Sequence, residues 1–155
     1  MPDEGSIRID GRTLDATTVQ QVRRRTAWLP QEFTLPYDTI QELIEAPFRL
    51  RINQALKPSR ETVLEHFDRL GLEHELYDKR SIEISGGQRQ RIMLMIAALL
   101  QKHIVLLDEP TSALDPDSIA RVIDYIRSLH EATVLMVSHD ARFIDSFDRK
   151  IYIGD

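Results

Sequence analysis

The run Ile104-Val105-Leu106-Leu107, followed by Asp108-Glu109-Pro110, limits what this chain can fold into more than any other segment. Four consecutive apolar residues stopped by acids and a proline are too short for a helix. They lack the alternation of a strand with one wet face, so they read as a parallel strand covered on both faces. The strand ends in two acids, which places both carboxylates at the carboxyl edge of a sheet, where α/β folds hold ligands. There the first acid can hold a magnesium ion through water, and the second can polarise an attacking water. A strand simply returning to solvent ends the same way, and these residues alone favour that plainer reading.

The rest of the chain alternates strand-like and helix-like segments. Ser6 to Ile9 alternates polar and apolar and runs into Asp10-Gly11, a strand entering a turn. Thr18 to Arg25 reads as a short surface helix, and Thr26 to Leu29 as a buried strand stopped by Pro30. Residues 38–82 are helical throughout. Ile40, Leu43 and Ile44 have helical spacing, Pro47 interrupts, and Ser59 caps a helix whose stripe is Val63, Leu64, Phe67 and Leu70, with Gly71 as its stop. Gln88 to Gln101 is a helix apolar on most sides. Asp115-Pro116 opens another, with a stripe of Ile119, Val122, Ile123, Ile126 and Leu129. Thr133 to Val137 reads as a second buried strand, Ala141 to Ser146 as a short helix, and Ile151 to Ile153 as a last strand. Repeated alternation of strand and helix implies an α/β fold with a mainly parallel sheet. The division expected is a core of residues 1–37 and 83–155 with an inserted helical subdomain at 38–82.

Composition narrows the function classes. The chain has 155 residues, room for one domain with a real core, and it carries a net charge of −5 with no basic run beyond Arg23-Arg24-Arg25. Such a chain is a poor nucleic-acid binder. It has no cysteine, so disulfides and thiolate metal sites are excluded. The longest apolar run, Ile92 to Leu100, is about half of what a membrane-spanning helix needs. The first residues have neither the basic patch nor the apolar core of a signal peptide. No direct membrane insertion is expected.

The segment Ile84-Ser85-Gly86-Gly87-Gln88-Arg89-Gln90-Arg91 carries more weight. Two adjacent glycines before a long apolar helix let backbone N–H groups approach a ligand closely, and the helix N-terminus adds partial positive charge, a natural phosphate contact. Ser85-Gly86-Gly87-Gln88 resembles the signature motif of ABC ATPases, with Ile84 in place of the commonest leading Leu. Val105 to Pro110 resembles their Walker B strand, Ser112-Ala113-Leu114-Asp115 their D-loop, Val137-Ser138-His139-Asp140 their switch-histidine loop, and Leu29-Pro30-Gln31 their Q-loop. Five motifs in the family's order, with family-like spacing, cover essentially the whole chain from Gly5 onward.

The resemblance implies a P-loop NTPase-like fold and an ATPase that uses ATP and magnesium. Asp108 would orient the magnesium, and Glu109 would be the general base. His139 would contact the γ-phosphate. Gln31 would sense the magnesium and the nucleophilic water. Ser85, Gly86, Gly87 and Gln88 would meet the nucleotide of a second, facing domain, and Asp115 would work across the same interface. Partners implied are a homodimer or second ABC ATPase domain and a membrane permease, with the protein cytoplasmic and peripheral at the inner face of the membrane. The compact helical insert fits a transporter ATPase rather than members with long coiled-coil arms. Docking of the permease is expected around Phe33 to Leu50, with Phe48 and Leu50 either apolar contacts for it or packed within the helical subdomain.

One family element has no counterpart. None of the six glycines is followed by Lys-Ser or Lys-Thr, so the phosphate-binding loop Gly-x-x-x-x-Gly-Lys-[Ser/Thr] is absent. A segment like Pro2-Asp3-Glu4-Gly5 follows the phosphate-loop helix in the family, so the chain reads as the part downstream of that loop. The resemblance sets the missing strand between Thr133–Val137 and Ile151–Ile153, with its helix on one face, and the missing piece includes most of the N-terminal β-subdomain. The expectation is a fragment of a working ATPase, inactive alone and marginal or oligomeric. The alternative is a non-catalytic module that dimerises or binds partners without turnover.

Overall fold

The computed structural model describes residues 4–32 and 37–152. Strands β1 (Arg8–Ile9) and β2 (Arg12–Thr13) pair antiparallel around Asp10 and Gly11, both with positive φ, as a two-residue hairpin turn requires. Helix α1 (Val19–Arg24) buries no residue and leads into β3 (Thr26–Leu29).

The helical stretch follows. Thr39 caps α2 (Ile40–Glu45) by accepting from the Glu42 N–H, and Ile40, Leu43 and Ile44 are buried as their spacing predicts. Pro47 does not end the chain's helical path but turns it into a 3-10 segment, Ala46–Arg49. Ser59 caps α3 (Arg60–Leu70), and Gly71, with φ of 62°, closes it in the left-handed conformation. Val63, Phe67 and Leu70 face inward, with Leu64 half-buried. Helix α4 (Gly86–Leu99) buries residues on nearly every side, as its composition demands, because it runs through the middle of the molecule.

Helix α4 delivers the chain to β4 (Ile104–Asp108). Helix α5 (Pro116–Arg127) returns it to β5 (Thr133–Val137), and the short α6 (Ala141–Asp145) follows. The three strands form one parallel sheet in the order β3-β4-β5, with Leu29 opposite Leu107 and Asp108 opposite Val137. This is the expected α/β class, with a parallel sheet flanked by helices.

Three strand readings need correction. Among the described residues, the strands β3, β4 and β5 are covered on one face only. Ala27, Leu29, Val105 and Leu107 are buried against the core, whereas Trp28 (66% exposed), Leu135 (57%) and Val137 (55%) stand bare on the other side. Continuous apolar runs therefore exist here without two covering layers. The strand β5 is also an edge, with no neighbour beyond it among the described residues. Ile151 and Tyr152 are exposed and form no strand, and Ile153 lies outside the described residues.

The helical stretch and the sheet share one apolar cluster, which runs from Leu29 and Leu107 through Leu94 and Met95 to Phe67, Val122 and Phe143. Polar ties cross the same boundary. The Tyr125 hydroxyl, which burial pushes well above its ordinary pKa, sits 2.6 Å from His66 Nδ1, and Arg69 stacks over the Tyr125 ring. From α4, the Arg91 guanidinium donates to the Leu70 and Gly71 carbonyls at 2.9 and 3.0 Å.

Candidate active site

The register of the sheet gathers the motifs. Because Leu29, Leu107 and Met136 lie level, the loops after β3, β4 and β5 leave from one edge, carrying Gln31, Asp108-Glu109 and Ser138-His139. Gln31 is exposed, two residues beyond β3.

Asp108 is half-buried, and its carboxylate makes no hydrogen bond or ion pair with the described residues. Glu109 differs. Its backbone is left-handed, with φ of 47°, a conformation that costs a non-glycine residue roughly 1–2 kcal/mol. Its N–H extends the β4–β5 ladder by donating to the Val137 carbonyl at 2.9 Å. The side chain is only 11% exposed, with one oxygen 3.4 Å from the Ser138 hydroxyl. The other oxygen, Oε1, is buried without a hydrogen-bond partner, although His139 Nε2 lies 3.5 Å away. The His139 side chain is 94% exposed. A buried carboxylate oxygen without a hydrogen bond costs about 1–3 kcal/mol or more, so Oε1 keeps unused acceptor capacity beside His139.

The signature segment is built by helix capping. Ser85 Oγ accepts from the Gln88 N–H at 3.1 Å, and Gln88 Oε1 accepts from the Ser85 N–H at 2.8 Å, a reciprocal capping box. The Gln88 side chain is thus turned back onto its own helix, leaving Ser85 and Gly86 exposed at the tip. The glycines have unequal reasons to be there. A Cβ on Gly87 would meet the Ala113 carbonyl oxygen at 2.8 Å, so this position admits the D-loop against α4, whereas a Cβ on Gly86 would meet only the Ala113 methyl at 3.7 Å. Gly87→Ala should lower stability by about 1–3 kcal/mol, as overpacking does. Gly86→Ala should be neutral or stabilising by up to about 1 kcal/mol. Urea midpoints of the two variants check the contrast.

Asp115 caps α5, accepting from the Ser118 N–H at 2.9 Å and the Ser118 hydroxyl at 2.6 Å, and these bonds hold its carboxyl below the usual range. Phe48 is buried in the core (2% exposed), so its reading as a docking contact is overturned: the 3-10 turn after Pro47 points it inward. Leu50 is 61% exposed, and Phe33 lies outside the described residues. A residue the sequence reading passed over is Gln90. It is buried on the Gly87–Leu94 face of α4, and a polar residue in an apolar stripe was the available signal.

The family model for ABC transporters matches residues 1–112. This chain belongs to the ABC transporter family. It is 34% identical over 137 residues to the arginine transport ATP-binding protein ArtP of Haemophilus influenzae, covering 86% of this chain and 56% of that protein. It is 29% identical over 160 residues to the glutamine transport ATP-binding protein GlnQ of Bacillus subtilis, covering 99% and 65%. The chain therefore spans less than two thirds of the length of these relatives. Among solved structures, the dimeric ATP-binding cassette MJ0796 bound to ADP and Pi superposes with a TM-score of 0.73 at 28% identity, covering 92% of this chain and 66% of that one.

Donors for a metal are few. No group of three or more His, Asp or Glu residues among the described ones could hold an ion by itself. Asp108 with water fits a magnesium ion only if phosphate oxygens complete the shell, which is how this ion is commonly bound at nucleotide sites.

Proposed function

We propose that these residues belong to the ATP-hydrolysing subunit of an ABC transporter, acting with a membrane permease and closing against a second ATPase domain. The observation that carries this is the buried, unpartnered Glu109 Oε1 at the edge where the Gln31 and His139 loops converge. Magnesium, when bound with the nucleotide, neutralises charge on the phosphates. Asp108 would hold it through water. Glu109 accepts a proton from the attacking water, with the unpaired Oε1 as the accepting atom. Gln31 orients that water from the facing loop, and exposed His139 reaches the γ-phosphate. Ser85, Gly86 and Gly87 present an uncovered helix start to the nucleotide of the facing domain, with Gln88 locking its cap and Asp115 fixing the start of α5 beside it.

The relatives named for arginine and glutamine transport support amino acids as the cargo class. Operation at the cytoplasmic side of the membrane follows from the permease partnership; no helix among the described residues is long and apolar enough to cross a bilayer. The division into a core (1–37 and 83–155) and a helical subdomain (38–82) belongs to the same reading.

Calorimetry with Mg-ATP tests it. The 155-residue chain should show no binding, since no Gly-x-x-x-x-Gly-Lys-[Ser/Thr] loop is among its residues. The same chain joined to a phosphate-loop strand and helix should bind at micromolar concentrations. Failure of the joined chain to bind would support the alternative of a non-catalytic interaction module, and tight binding by the 155 residues alone would require a different phosphate cradle.

A further inference from the structure

We infer that Gln90 is a positioning residue that clamps the signature helix to the turn carrying Glu109, so that the two ends of the site move together; this rests on the reading of Glu109 as general base. Gln90 is 6% exposed, deep on α4. Its Nε2 donates to the Glu109 carbonyl at 2.6 Å and lies 3.3 Å from the Ser112 hydroxyl, while its Oε1 accepts from the Ala113 N–H at 3.2 Å. One amide thereby holds both limbs of the turn between β4 and the D-loop.

The turn needs holding. Glu109 sits in a left-handed backbone that favours glycine, and its carbonyl receives the Gln90 bond on one side and the Ser112 N–H, at 3.3 Å, on the other. Rotating the peptide out of that conformation would re-aim the Glu109 side chain and break the short Gln90 contact. One turn earlier on the same helix face, Gly87 lies so close to the Ala113 carbonyl that no side chain fits between them. Gln90 and Gly87 therefore grip the same loop at successive turns of α4. The helix that presents Ser85 and Gly86 outward is fastened to the residue that would activate water. A displacement of the helix start on meeting a facing domain is transmitted to Glu109 through the Gln90 amide, with its 2.6 Å bond to the Glu109 carbonyl and its 3.2 Å bond from the Ala113 N–H, not through loose packing.

Two variants test this. Gln90→Glu keeps shape and the acceptor for Ala113 but loses the donor to Glu109, and Gln90→Ala loses both. In the 155-residue chain, backbone hydrogen exchange at Ala113 should quicken about tenfold in Gln90→Ala, with exchange in the β4 strand unchanged. In the chain joined to a phosphate loop, kcat per folded molecule should fall about tenfold in Gln90→Glu while KM for ATP stays near the parent's, measured well below the lowered melting temperature that a buried carboxylate brings. A fall in kcat that merely tracks lost folded protein would overturn the clamp, as would unchanged kcat in both variants. If the joined parent turns over no ATP, the reading of Glu109 fails, and Ala113 exchange still decides: faster exchange supports the clamp, and unchanged exchange refutes it.

Discussion

Replacing Leu135 and Val137 together by lysine will convert this chain from an associating species into an 18.0 kDa monomer. The strand β5 is five residues of Thr, Val, Leu and Met without a charge or a proline, and it lies at the edge of a parallel sheet. Its outer N–H and C=O groups form a template for another strand, the arrangement that soluble proteins blunt with charges. Beside it, Trp28, Leu135 and Val137 leave an apolar surface uncovered on one face of the sheet, and Trp28 and Leu135 flank half-buried Leu106 in register. Lysine at 135 and 137 would point two cations out of that face without touching Val134 and Met136, which face the core. Sedimentation velocity of the parent and the double variant, at matched concentrations, reads the result. A monomeric parent would show that the bare face tolerates water by itself.

Glu109→Gln, in the chain joined to a phosphate loop, will reduce turnover by about 10²- to 10⁴-fold and leave Mg-ATP binding within a few-fold of the parent, the range expected for removing a general base. The substitution keeps the size of the side chain and its 3.4 Å approach to Ser138. What it removes is the basicity of the oxygen that has no hydrogen-bond partner in the fold. Single-turnover measurements isolate the chemical step from product release. Turnover at the parent's rate would move the base to another group and leave the unpaired Oε1 without a catalytic reason.

Local structure was legible wherever one residue's chemistry fixes the backbone. Ser59 and Asp115 begin, and Gly71 ends, the helices that their chemistry predicts, and Asp10-Gly11 makes its turn, whereas α4 starts at Gly86 under a Ser85 cap, two residues before the expected Gln88. The covering of the sheet was not legible in the same way. The runs at β3, β4 and β5 have the composition of strands enclosed on both sides, and nothing within a run of five residues reports whether a second layer is present. Phe48 shows the converse limit. An aromatic residue between Pro47 and Arg49 could face a partner or the core, and only the 3-10 turn decides. The motif residues Asp108, Glu109 and His139 lie at one edge of the sheet, whereas Gln90, read only as part of the segment Ile84 to Arg91, was given no role of its own. Gly87 was valued for approach to a ligand, and the structure adds a second demand from the Ala113 carbonyl.

The single cluster that joins Leu29 and Leu107 to Phe67 and Val122 has a consequence for how the molecule comes apart. A helical stretch with its own apolar centre could melt while the sheet stayed intact. Here Phe67 and Leu70 contribute to the same interior as Met95 and Leu107, with Tyr125 and Arg91 pinning α3 from two sides. Loss of that interior exposes both parts at once, so the described structure is expected to unfold in a single calorimetric transition. Any displacement of α2 and α3 against the sheet would then proceed as sliding of intact, packed helices, since local melting would forfeit the sheet as well.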